Sequence, residues 1–80
     1  MARYYFNLKD GRRSLDNEGT ECADINAARA KAVTLSGEVL RDGASESLWG
    51  GEPWQLWVTD QPGGKGQTFF TLHFSAEGPS

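Results

Sequence analysis

The stretch Arg3–Gly11, RYYFNLKDG, decides how the rest of the chain is read. Tyr4, Phe6 and Leu8 alternate as the inward side of a strand should, and aromatic residues favour pleated structure. Tyr5 points the other way, where a half-buried strand would carry a polar group. The stretch therefore predicts a strand used on both faces. Asp10-Gly11 is a turn signal, because both residues tolerate positive φ. Residues 12–15, RRSL, then read as a short second strand closing a hairpin. Two arginines suit an exposed edge, where charge discourages pairing with another sheet.

Working outward, Asp16-Asn17-Glu18-Gly19 marks another turn, and the chain stays extended through Thr20 to Cys22. Asp24 suits a helix N-cap, its carboxylate accepting free N–H groups of the first turn. From Ile25 the apolar period becomes helical: Ile25, Ala28, Ala32, Leu35 and Val39 form one stripe, widened by Val33 and Leu40. Lys31 falls on the opposite arc. The small Ala28 and Ala32 permit close approach to a sheet. Gly43 is placed to end the helix, with Arg41 complementing its dipole. Residues 44–52 read as a loop, with Trp49 as a lid on the edge of the core. Pro53 fits the start of a strand. WQLWVT (54–59) alternates Trp54, Leu56 and Val58 against Gln55, Trp57 and Thr59. Asp60–Gly66 is a hairpin loop. In QTFFTLHF (67–74), Phe70, Leu72 and Phe74 match the core parity, while Phe69, Thr71 and His73 point away.

The order β-β-α-β-β predicts an α+β two-layer sandwich: a four-stranded, mostly antiparallel sheet with one helix on one face. Beside the first strand the sequence leaves open either the 54–59 strand or the 67–74 strand.

Eighty residues with ordinary composition make a single domain over 1–80, with 75–80 as a loose tail. One cysteine, Cys22, forms no internal disulfide, and no apolar leader or membrane-length run is seen, so a soluble cytoplasmic protein is expected. The net charge is −3 with the basic residues scattered, which disfavours nucleic acid as a partner.

RYYFNLKDG, the helix start DINAARAKAV and the closing WQLWVTDQPGGKGQTFFTLHF together resemble a family of small bacterial domains of unknown function. That family's pattern is R-Y-[YF]-F-x-L-x-D-G, then a D-x-x-A-A-x-x-A helix, then a W-x-[IL]-x-V-x-D hairpin. The likeness spans most of the chain and departs at Pro62–Gly66, where the hairpin turn is enlarged. It implies a compact single domain and assigns no activity or catalytic residue.

The chemical candidates resolve to structural roles. GGKG at 63–66 lacks the Ser or Thr and the following helix of a phosphate loop. Asp16, Glu18, Glu21 and Asp24 do not have calcium-loop spacing and read as a solvated turn plus a cap. His73 has no partner at metal-ligand spacing, and Cys22 has no evident activating cation. No catalytic residue, metal or cofactor is expected, and the domain reads as no enzyme.

The remaining signal is distributed. All aromatic residues but Trp49 fall in expected strands. One helix covers one sheet face, so Tyr5, Trp57 and Phe69 would share the other with Thr71 and His73. Cross-strand pairing alone accounts for such rings; so does an interface. The interface reading predicts a non-catalytic protein-protein interaction module, most simply a homodimer formed through this face. The alternative is a weak nucleic-acid or planar small-ligand binder that stacks on the same rings.

Overall fold

The computed structural model describes residues 2–9, 13–42 and 48–77. The expected turn at Asp10-Gly11, Arg12, the helix stop at Gly43, loop residues 44–47 and tail residues 78–80 lie outside them. The elements run β1 (Ala2–Lys9), β2 (Arg13–Ser14), β3 (Thr20–Cys22), α1 (Ile25–Asp42), β4 (Trp54–Thr59) and β5 (Thr68–Phe74).

The architecture is α+β, one helix on an antiparallel sheet, with five strands rather than four. The path is β2-β1-β4-β5, and β3 also pairs with β1. Of the two neighbours left open for β1, it is β4 that lies beside it, with Phe6 opposite Val58 and Leu8 opposite Leu56. The extra strand has a local cause. Beyond the turn at Asp16–Gly19 the chain comes back to the start of β1, pairing Ala2 with Cys22 and Tyr4 with Thr20. β2 and β3 thus share one edge of β1, at its two ends.

The helix-side face carries the core. Tyr4, Trp54, Leu56 and Val58 are buried, as are Ala28 and Ala32 beneath α1. The two alanines let the helix backbone approach the strands, as their size predicts. The buried line then continues to Ser36, not along the expected flank. Ser36 satisfies its hydroxyl on the Ala32 carbonyl at 2.8 Å. Val33, expected to widen the stripe, is 63% exposed. Lys31 is half-buried at the border, its ammonium 5.9 Å from the Phe6 ring centre. Trp49 is also a correction: it is exposed, and its neighbour Leu48 packs on the core instead.

Asp24 caps α1 through Oδ1, which accepts the Ala27 N–H at 2.9 Å. Such caps contribute about 1 kcal/mol. Gly37 faces open space in mid-helix. A Gly37→Ala variant should therefore gain about 1 kcal/mol through helix propensity. Urea denaturation would show it as a raised midpoint at unchanged slope.

Candidate functional site

Cross-strand pairing arranges the face away from the helix in three rows. Tyr5 opposes Thr59, and Thr59 opposes Thr68. Asn7, Trp57 and Thr71 form the middle row. Lys9, Gln55 and His73 form the third. Opposed residues point to the same side of a sheet, so each row lies on one surface.

Phe69 leaves this surface. Val58 opposes Phe70 while the next residue, Thr59, opposes Thr68, so Phe69 is the extra residue of a bulge. A bulge breaks the two-residue alternation. The Phe69 ring accordingly lies 5.3 Å from that of Tyr4, a core residue, and remains 43% exposed. Of the five residues expected on one face, Tyr5, Trp57, Thr71 and His73 share it.

The chain itself covers one end of that face. Asn7, in the middle of β1, is fully buried. Its amide nitrogen lies 3.3 Å from the carbonyl oxygens of Tyr5 and Trp57 and 3.2 Å from Thr59 Oγ1. Its Oδ1 accepts the Asp16 N–H at 3.0 Å. Thr59, also fully buried, donates onward to the Gln61 carbonyl at 2.9 Å. These bonds satisfy polar groups whose burial would otherwise be costly.

Asp16 organises the loop above. Its carboxylate accepts the N–H groups of Glu18 and Gly19, an Asx-type turn, and that of Phe6, each at 3.0 Å. The Phe6 bond fills the gap in the β1 ladder between β2 and β3. Burial raises the Asp16 carboxyl, but the hydrogen bonds from Gly19, Phe6 and Glu18, with the Arg3 charge, outweigh it and hold the group below the usual aspartate range. Arg3 braces the same loop, donating to the Glu18 carbonyl at 2.7 Å. Gly19 sits against the Tyr5 ring: a Cβ there would lie 2.8 Å from Tyr5 Cε2.

The enlarged hairpin turn completes the cover. Gly63 N–H donates to the Asp16 carbonyl at 2.9 Å. Gly64, at φ 75°, lies so close to Leu15 and Trp57 that a Cβ would meet Leu15 Cδ2 at 3.1 Å and Trp57 Cζ2 at 3.6 Å. The turn stays shut through Asp60, whose Oδ1 accepts the Gln67 N–H at 2.8 Å.

The cover stops at Trp57, which is half-buried, as are Tyr5 and Gln55. Lys9, Thr71 and His73 remain exposed. Lys9, Pro53, Gln55 and His73 line a depression of about 140 Å³ with Trp54. The groups that reach solvent on this face are hydroxyl, amide, imidazole and one ammonium, suited to hydrogen bonding. Cys22 is a buried free thiol. Among the described residues no three metal-ligating side chains cluster, and no helix is long and apolar enough to cross a membrane.

Asn7 and Asp16 are the residues that strand parity and charge patterning overlooked. Each carried a signal: asparagine is disfavoured in mid-strand unless it has a hydrogen-bonding task, and D-N-E-G is an Asx-turn sequence.

No curated protein and no solved structure matches this chain. The family model described as a domain of unknown function, DUF6894, matches residues 3–75, nearly the whole folded sequence, and the chain belongs to that family.

Proposed function

We propose that this domain is a non-catalytic protein-protein interaction module that self-associates through the part of the sheet its own loops leave open. The observation that carries the reading is where the cover ends. The loops seal Asn7 and Thr59, yet Trp57 stays half-buried with Thr71 and His73 exposed beside it. A large indole at the rim of a covered zone, flanked by hydrogen-bonding groups, has the character of an interface anchor.

Sedimentation velocity over a wide concentration range tests it. The chain is expected to dimerise in the high micromolar range. A Trp57→Ser variant that keeps its circular dichroism should lose association at least tenfold. A strict monomer at every concentration overturns the proposal. Stacking of nucleobases on this face has less support, because Phe69 lies against Tyr4 rather than beside Trp57.

A further inference from the structure

We infer that the second copy docks edge to edge, β5 against β5 in antiparallel alignment about a two-fold axis through Leu72. This rests on the self-association proposed above and moves its contact to the free edge of the same region, where Thr71 of β5 lies beside Trp57.

The two edges of the sheet differ in kind. On the outer side of β1 the strands are short, two residues in β2 and three in β3, and carry Arg13 and Glu21. Between them the Asp16 carboxylate already occupies the Phe6 N–H. Short strands, charge and side-chain blocking are the usual protections against added strands. The opposite edge has none of them. β5 is seven residues long, TFFTLHF, without proline or a formally charged residue. Among the described residues it has no strand on its outer side. Its core-side residues Phe70, Leu72 and Phe74 are each only half-buried, because α1 lies against β3 and β4. The hydrophobic layer is thus incomplete along this edge.

A second copy fits that edge on register and charge. Beyond the bulge at Phe69 the strand is regular. An axis through Leu72 sets Leu72 against its equivalent and Phe70 against Phe74 of the copy, in one apolar row on the helix side. Thr71 and His73 then oppose each other on the other side. Each residue meets one of its own face, as a continuous sheet requires. Two copies at net charge −3 repel overall. Gly66–Ala76 is the longest stretch of the chain without Asp, Glu, Lys or Arg, so this contact avoids that repulsion. Strand addition supplies backbone hydrogen bonds and needs no pocket. One strand pair lies at the small end of interface sizes, below about 1,200 Å², so the dimer is reversible.

Hydrogen exchange of the full chain, followed by mass spectrometry at low and high protein concentration beside sedimentation velocity, tests the mode. If dimer forms and amides within residues 70–74 slow roughly tenfold with it, edge pairing stands. A Thr71→Lys, His73→Lys variant, altered only at exposed positions, should then stay monomeric with its fold intact. If dimer forms while β5 exchange is unchanged, edge pairing is overturned and association through the open face remains. If the chain is monomeric throughout, both fail.

Discussion

Replacing Asn7 by Asp should remove a large share of the domain's stability at neutral pH. The substitution keeps shape and volume and changes only hydrogen-bonding character. The Asn7 nitrogen now lies within 3.3 Å of two carbonyl oxygens and a hydroxyl oxygen. A carboxylate oxygen there would face acceptors at zero solvent exposure. An uncompensated buried charge costs about 3–5 kcal/mol, against roughly 4–12 kcal/mol of stability for a domain this size. Burial raises the new carboxyl above its unfolded value. Its contribution is therefore least unfavourable below the unfolded pKa and worsens as pH rises through the folded one. Urea titrations of both proteins from pH 4 to 8 should show the deficit growing with pH. A deficit below about 1 kcal/mol at pH 7 would mean that the Asn7 amide has no structural task.

Removing the Asp16 carboxylate should produce the second large loss. Asp16→Ala strips the acceptor from the N–H groups of Phe6, Glu18 and Gly19. Bonds to a charged acceptor contribute more than neutral ones. Water can replace the acceptor for the exposed Glu18, and less readily for Phe6 within the sheet. The net cost is expected at about 2–3 kcal/mol, or on the order of 10–20 °C in Tm. The deficit again grows with pH, as for the Asn7 variant, but because a favourable carboxylate is lost rather than an unfavourable one introduced. The folded pKa of Asp16 is depressed, so its contribution is present above the unfolded value, about 3.9, and is lost as pH falls through the folded one. The gap between wild type and Asp16→Ala should close on acidification. A gap independent of pH would show that the carboxylate's charge is not what holds the loop.

These two residues mark the boundary of what the sequence made legible. The helix, the β1, β4 and β5 strands and the core parity of Tyr4, Trp54, Leu56 and Val58 follow from local period and turn chemistry. Those signals act over a few residues and survive without knowledge of partners. Phe69 escaped because a bulge depends on the register of two strands, which a single strand does not encode. The cover over Asn7 escaped because it joins Asp16 to Gly63. The enlarged Pro62–Gly66 turn could be read as enlarged, but not as lying over Trp57. Val33, expected inside, is exposed while Ser36 is buried, because a helix's facing direction is set by the surface it meets. Apolar count alone put the valine inside. The serine is tolerated inside because it bonds its own helix.

The pairing of β1 with β4 has a consequence for biosynthesis. β1 lies between β2/β3 and β4 in the sheet, with Asn7 opposite Trp57. As the chain is made from its N-terminus, the hairpin partners of β1 emerge almost at once. Its other neighbour follows only after α1 has been made. Until then a strand bearing Tyr4, Tyr5 and Phe6 has one open flank. Long-range closure of this kind is slow compared with helix formation. The nascent domain thus waits on residues 54–59 before its central strand is shielded.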